Sequence, residues 1–335
     1  MLTKIMKQNL FLLFLTFYLT GNTQNLFPHE KEINNKEKYI YREINFKNTD
    51  KNITISGTLI TPKSDFHKVV IIVPGSGFDT RRSHFILAEE FLKNGIAVYR
   101  FDEPGFGKSE GRFYLSPSPL ISDLTFLVSK LRNDKLIGSL KIGMLGHSMG
   151  GIATIALYEK KKNIDFLIQM STVIEKGGEF MKYQAKQKSS LKYYIHGKSL
   201  EQSIELLDLI NHIIINNEDL DTIYSKVDKI AKENGLNDEL KKFLHDPSYS
   251  DFVKQNHELT YKNINIPVLF INGSIDKYVD SKSQIKLLKS FNNPNIKIKL
   301  MNNLTHYLTT KNIKSIYQMD KTALNEIISW ALKIK

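Results

Sequence analysis

Five short segments of the chain are dominated by apolar residues, many of them β-branched or aromatic: 68–73, 96–101, 141–145, 165–170 and 267–271. Such runs suit strands that are covered on both faces, as in a parallel sheet. Between and after them lie segments with helical spacing of apolar residues, at 83–94, 120–132, 150–160 and 281–290. A strand at 296–301 and a helix at 320–333 complete the series. This βαβ alternation predicts an α/β fold with a doubly wound, mostly parallel sheet.

Two regions depart from this alternation. Residues 39–47 and 53–60 alternate between apolar and polar side chains, which predicts antiparallel strands in a hairpin or meander before the parallel part. Residues 176–262 are polar and helix-patterned, without convincing β runs. We therefore expect an inserted helical cap at 176–262, which divides the core into a first part, 25–175, and a second part, 263–335.

The first 24 residues have the pattern of a secretory signal peptide. Lys4 and Lys7 precede the apolar run 10–19, and polar residues follow it. The run is too short for a comfortable membrane span. The prediction is therefore an exported protein, periplasmic or extracellular. Because no A-x-A cleavage site is visible, an uncleaved N-terminal membrane anchor is the alternative.

Composition excludes several kinds of chemistry. The chain has no cysteine, which removes disulfides, thiolate metal ligands and cysteine nucleophiles. The formal charge of +12 comes from dispersed lysines rather than an arginine-rich tract, so no nucleic-acid partner is predicted. No cluster of metal-ligating residues is apparent along the sequence, and neither a metal nor a cofactor is expected.

The segment Gly146–Gly150 fits the pattern G-x-S-x-G, with Ser148 at its centre. A predicted strand precedes it and a predicted helix follows, which is the context of a nucleophile elbow. Small flanking residues are needed there because a Cβ atom would collide with the turn. The pattern therefore predicts that Ser148 is a nucleophile at the N-terminus of a helix.

A serine nucleophile needs a base and an acid, which in this arrangement follow it in the order Ser, acid, His. His306, in a loop after the last predicted strand, is the only histidine beyond residue 257. Asp276 follows the buried strand 267–271 and a turn, and Asp280 is the alternative acid. We expect His306 to take the serine proton and Asp276 to orient its imidazole.

Backbone N–H groups should stabilise the oxyanion. One is expected from Met149, the residue after the nucleophile, and the other from the loop after strand 68–73, with Ser76 preferred and Phe78 second. Gly75, Gly77, Phe78 and His147 are expected to contact substrate, although His147 is also expected to pack inside the elbow. The loop lacks the lysine and the full glycine spacing of a phosphate-binding loop.

Taken together, these segments resemble bacterial carboxylesterases of the α/β-hydrolase superfamily, in its serine-aminopeptidase-like branch. The matching segments are 53–59, 75–77, 100–109, 146–151, 267–276 and 305–306. The resemblance implies an α/β-hydrolase fold, a triad of Ser148, Asp276 and His306, and an oxyanion hole completed by the glycine-rich loop. Pro74-Gly75 stands where the family commonly has His-Gly, and the 176–262 insert has no assigned counterpart.

The predicted activity is hydrolysis of a small-molecule carboxylic ester through an acyl-enzyme intermediate. Three alternatives stay open at the level of sequence. Two are a serine peptidase or amidase and an acyltransferase on the same scaffold. The third is a non-catalytic binding protein, against which an intact set of Ser148, Asp276 and His306 argues. Fold alone does not distinguish them.

Overall fold

A computed structural model of the chain describes residues 27–187, 195, 197–311 and 318–335. Its centre is an eight-stranded sheet in the order β1-β4-β6-β5-β7-β8-β9-β10. β1 and β4 are antiparallel to their neighbours. The other six strands of this sheet, β5 to β10, run parallel to one another. The strands are β1 Tyr39–Glu43, β4 Gly57–Pro62, β5 Lys68–Val73, β6 Ala97–Phe101, β7 Lys141–His147, β8 Phe166–Met170, β9 Val268–Gly273 and β10 Ile296–Met301. The predicted doubly wound, mostly parallel sheet with antiparallel N-terminal strands is confirmed.

The N-terminal antiparallel region is divided into two ladders. β1 pairs with β4, whereas β2 (Phe46–Asn48) pairs with β3 (Ile53–Ile55) in a separate two-stranded sheet. The division falls at Asn45, whose side-chain oxygen accepts hydrogen bonds from the Ser56 hydroxyl at 2.9 Å and the Gly57 N–H at 3.3 Å. The Asn45 side chain thus takes the place of a backbone hydrogen-bond partner at the break between the two ladders. The alternation of residue types along 39–47 does not reveal this break.

Helices cover both faces of the parallel strands: α1 Phe85–Lys93, α2 Pro117–Arg132, α3 Met149–Glu159, α10 Ser281–Ser290 and α11 Lys321–Lys333. β5 shows why its sequence is continuously apolar. Val69, Ile71 and Val73 join one buried cluster with α2 and α3, and Val70 and Ile72 join the other with α1 and α11. Side chains of a strand alternate between faces, so a strand covered twice needs apolar residues at every position.

Helices fill the described part of the predicted insert: α4 Glu179–Gln187, α5 Leu200–Ile215, α6 Leu220–Glu233, α7 Asp238–Leu244, α8 Pro247–Lys254 and α9 Glu258–Asn263. They have their own buried cluster, which includes Met181, Ile210 and Tyr249. Polar side chains cap the N-termini of α5 to α8, as in the capping box of Ser199 and Gln202 on α5. We refer to α4–α9 as the helical segment; its predicted role as a separate cap domain stays a prediction.

The signal-peptide prediction for residues 1–24 lies outside the described residues. Within the part of the chain that the structure does describe, every helix is too short or too polar to cross a membrane.

Candidate active site

Ser148 lies at the tip of a tight turn between β7 and α3. Its backbone has φ 53° and ψ −118°, an uncommon conformation for a residue with a side chain. The Ser148 N–H donates to the Met170 carbonyl at 2.9 Å, and the Ser148 carbonyl accepts from the Gly151 N–H at 2.9 Å and the Thr172 hydroxyl at 2.8 Å. These bonds hold the turn against the end of β8.

The glycines of the turn are required by close backbone approach. A Cβ atom on Gly146 would lie 2.6 Å from the Gly150 carbonyl oxygen, and one on Gly150 would lie 2.3 Å from the Pro74 carbonyl oxygen. The sequence pattern therefore reflects contacts between the elbow and the loop after β5. A Cβ on Gly75 would lie 3.2 Å from Ser148 Cβ, which places that loop directly beside the serine.

His306 and Asp276 meet after β10 and β9, respectively. The distance between His306 Nδ1 and Asp276 Oδ2 is 2.8 Å, and both residues are buried. The other carboxylate oxygen of Asp276 accepts from the N–H groups of Tyr278 at 2.7 Å and Val279 at 3.0 Å. Because a carboxylate only accepts, Nδ1 carries the proton in this pair, which leaves Nε2 of a neutral His306 with a lone pair.

The alternative acid, Asp280, has a different position. Its side chain accepts from the N–H groups of Lys282 at 3.1 Å and Ser283 at 3.2 Å, so it caps the N-terminus of α10. Of the two aspartates weighed on the sequence, the structure brings Asp276 to His306.

One cavity of about 410 Å³ lies over the elbow. Seven residues singled out in the sequence line it together: Gly75, Ser76, Gly77, His147, Ser148, Met149 and His306. The helical segment supplies an apolar wall that includes Phe180, Met181, Phe243, Tyr249 and Phe252. Polar residues such as Gln184, Ser248, Tyr278 and Tyr307 also line the cavity. No sequence pattern predicted which residues of the insert would form this wall.

Phe78 lies apart from these residues. Its side chain is 56% exposed, and its ring packs against those of Phe106 and Phe113, each with centroids 5.3 Å away, and of Phe27 at 6.4 Å. Among the described residues, the cavity lining includes Gly75, Ser76 and Gly77 of the same loop but not Phe78. The predicted contact between Phe78 and substrate stays a prediction.

A buried pair of histidines lies behind the elbow. His84 Nε2 is 3.2 Å from His147 Nδ1, and His147 Nε2 is 3.3 Å from the His306 carbonyl oxygen. Burial lowers the pKa of His84 to about 4. Burial also lowers the pKa of His147 well below its ordinary value, with further contributions from His306 and His84. The contact between His84 and His147 joins residues 63 positions apart, and no local signal predicts it.

A second polar cluster borders the cavity. His29 Nε2 is 3.1 Å from Asp79 Oδ1, and Glu30 accepts from the Thr80 N–H at 2.6 Å. Potential ligand atoms of His29, Glu30 and Asp79 all lie within 4.8 Å of one another. Burial and neighbouring Asp79 raise the pKa of Glu103, which accepts from the Asp79 N–H at 3.0 Å. A histidine with carboxylates is a donor set that divalent cations use, so the expected absence of a metal stays a prediction.

Two comparisons of sequence relate this chain to known proteins. Residues 64–311 match the family described as serine aminopeptidase, S33. Thiohydrolase aneE of Aspergillus aculeatus is 31% identical over 145 residues, which span 42% of this chain and 44% of that protein. The match therefore covers less than half of either protein.

Solved structures match over most of their length. An esterase of Pyrococcus furiosus, Pf2001, superposes with a TM-score of 0.58 at 20% identity over 91% of this chain and 97% of its own. Est1E of Butyrivibrio proteoclasticus, solved with ferulic acid bound, superposes with a TM-score of 0.55 at 16% identity over 87% and 98%, respectively. At these identities the likeness establishes a shared fold.

Proposed function

Since the chain belongs to the serine aminopeptidase, S33, family of α/β hydrolases, we propose that it is a serine hydrolase that cleaves carboxylic esters through an acyl-enzyme intermediate. One observation carries the proposal. A serine held at the tip of an elbow lines the same cavity as a histidine whose Nδ1 is paired with a buried aspartate. That arrangement is suited to nucleophilic acyl transfer.

The proposed mechanism follows from the proton positions. Ser148 Oγ attacks the ester carbonyl carbon while His306 Nε2 takes its proton, and Asp276 stabilises the imidazolium cation that forms. The negative charge on the carbonyl oxygen is stabilised by the N–H groups of Met149 and Ser76. His306 then returns the proton to the departing alkoxide, which leaves as the alcohol. Water repeats these steps on the acyl-enzyme, releases the carboxylic acid and restores Ser148.

The lining of the cavity favours an ester substrate whose acyl group is small or medium in size and either aliphatic or aromatic. On the helical segment its wall is formed by Phe180, Met181, Phe243, Tyr249 and Phe252. Binding of an apolar acyl group against this wall removes apolar surface from water, which favours binding. A peptide substrate is the alternative within this family. Hydrolysis of aminoacyl amides by the purified chain would favour it.

A thioester is the second candidate substrate. The observation that favours it is the similarity to the Aspergillus thiohydrolase. The attack by Ser148 is the same, and the leaving group is a thiolate rather than an alkoxide. Comparing kcat/KM for butyryl thiocholine and p-nitrophenyl butyrate on one preparation separates the two candidates.

The test uses the purified chain with p-nitrophenyl butyrate and a fluorophosphonate probe. We expect wild-type protein to hydrolyse the ester and to be labelled at Ser148, and Ser148→Ala to lose labelling and about a thousandfold or more of kcat. Alanine retains a Cβ at the same φ, so Tm should stay close to that of the wild type. Folded wild-type protein that is neither active nor labelled would contradict the proposal.

We further propose that residues 1–24 direct export. The basic start and short apolar run of the sequence support this. N-terminal sequencing of the chain recovered from the periplasm or culture medium tests it. A cleaved terminus near residues 21–25 is expected, whereas an intact terminus in the membrane fraction would support the anchor instead.

A further inference from the structure

Five side chains and one backbone carbonyl form a connected series beside the nucleophile elbow. Ser83 Oγ is 3.1 Å from His84 Nδ1, His84 Nε2 is 3.2 Å from His147 Nδ1, and His147 Nε2 is 3.3 Å from the carbonyl oxygen of His306. The side chain of His306 continues the series through Nδ1 to Asp276 at 2.8 Å. All five residues are buried.

When both imidazoles are neutral, the carbonyl at one end sets the direction of every bond. A carbonyl oxygen only accepts, so His147 Nε2 carries a proton. In a neutral imidazole the other nitrogen has no proton and accepts. His147 Nδ1 therefore accepts a hydrogen bond from the N–H at His84 Nε2. His84 Nδ1 in turn accepts from the Ser83 hydroxyl. With both imidazoles neutral and protonated on Nε2, each donor of the series therefore meets an acceptor.

The surroundings agree with neutral rings. Both imidazoles are almost entirely buried, which disfavours their charged forms and lowers the pKa of each. The charged groups that act on His84 are Asp79, Arg100 and His29, with opposing signs. His147 faces the rings of His306 at 4.9 Å and Tyr307 at 5.0 Å.

The chain joins three segments that are distant in sequence. His147 directly precedes Ser148 at the end of β7, His84 is the residue before α1, and His306 lies in the loop after β10. His84 has φ 51°, a left-handed conformation that costs a residue with a Cβ free energy, and it is kept where surrounding contacts impose it. The Ser83 carbonyl is itself anchored by the Arg100 guanidinium at 2.9 Å.

We propose that His84 and His147 are positioning residues that fix the His306 loop against the elbow through this directed series of hydrogen bonds. The inference rests on the proposed function of Ser148 and His306. Asp276 fixes the imidazole ring of His306 from one side, and His147 fixes its backbone from the other. Together the two contacts set the separation between His306 and Ser148, to which proton transfer is sensitive.

A pair of variants at His84 tests the role. Glutamine can present an N–H near the position of Nε2, whereas leucine cannot. We expect His84→Leu to lower kcat for p-nitrophenyl butyrate about tenfold with KM within about twofold, and to slow fluorophosphonate labelling by a similar factor. His84→Gln should recover to within about threefold of the wild type. Equal losses in both variants, or a loss confined to KM, would overturn the proposal.

A measurement on the wild-type protein keeps the proposal testable if a variant does not fold. Nitrogen-15 NMR of the imidazoles, assigned in the wild-type protein through contacts with neighbouring residues, should show His84 and His147 neutral and protonated on Nε2 at neutral pH. Protonation of either ring on Nδ1 would overturn the directed series. If wild-type protein hydrolyses esters and Ser148→Ala does not, such a result would leave the proposed function intact.

Discussion

The parallel sheet and the helical segment α4–α9 meet at one cavity but contribute different kinds of groups. From the sheet come turns whose positions are set by backbone hydrogen bonds and by glycines without room for a Cβ, as at Gly146 and Gly150. From the helical segment come apolar side chains such as Met181 and Phe252, held by packing in their own cluster or against it. The reacting groups are thus positioned by backbone geometry that few residue types can adopt. The shape of the cavity depends instead on apolar packing that many residue types can provide.

This difference predicts that substitutions in the two regions act in different ways. In the sheet, single atoms should decide whether the reaction occurs. In the helical segment, substitutions should change stability and the choice of substrate while leaving the reacting groups in place.

The largest effect is expected at the acid, where Asp276→Asn and Asp280→Asn form a matched pair. The asparagine at 276 would direct an amide N–H at His306 Nδ1 and favour protonation of Nε2, so that the base is blocked. We expect kcat to fall by about three to four orders of magnitude. Asn caps a helix about as well as Asp, so Asp280→Asn should stay within about twofold. Steady-state kinetics on p-nitrophenyl butyrate measure both, and equal losses would refute the choice of Asp276.

The next effect compares glycines in the two regions. In Gly150→Ala the new Cβ would lie 2.3 Å from the Pro74 carbonyl oxygen and 2.5 Å from that of Val73. The elbow and the loop after β5 must separate, so we expect activity to fall at least about a hundredfold. Gly235, after α6, has φ 63°, and a Cβ added there would have no neighbouring atom within 4 Å. Gly235→Ala should cost about 1 to 2 kcal/mol of unfolding free energy and leave kcat unchanged.

Urea unfolding measures the free energy of unfolding of each glycine variant, and steady-state assays of the folded proteins measure the activity. The two measurements together distinguish the variants. Full activity in folded Gly150→Ala protein would show that the contact with Pro74 does not hold the proposed oxyanion loop in place.

The smallest effect concerns substrate choice. Met181 and Ile210 are both fully buried in the cluster of the helical segment, but of the two only Met181 lines the described cavity. Truncation of either to alanine should cost about 2 to 5 kcal/mol of unfolding free energy. Met181→Ala should also raise kcat/KM for longer acyl esters relative to butyrate, by about fivefold to tenfold. A chain-length series on both variants checks this, and an identical profile would place the acyl group elsewhere.

The sequence predicts the sheet, its flanking helices and the groups proposed for chemistry because each has a local cause. Val69 to Val73 must be apolar on both faces, and Gly146 and Gly150 must lack side chains, so these features are visible in a single segment. His306 was found by chain order and Asp276 by its place after a buried strand. Their 2.8 Å contact agrees with that reasoning.

The features that sequence reasoning missed depend on contacts between distant segments. The bond between His84 and His147 requires α1 to begin beside the elbow, which only the folded sheet determines. The packing of Phe78 against Phe106 and Phe113 likewise joins two loops that are distant in sequence. The wall formed by Phe180 and its neighbours depends on how amphipathic helices pack, for which many sequences are equivalent.

β9 and β10 are the last two strands in sequence order and lie at one edge of the sheet, which has a consequence for biosynthesis. A growing polypeptide that has added β5, β7 and α3 already contains the elbow around Ser148. It gains Asp276 and His306 only after the helical segment and the last two strands have been made. On the proposed mechanism, the nascent protein therefore carries its nucleophile without a base and becomes hydrolytic only when the edge of the sheet is completed.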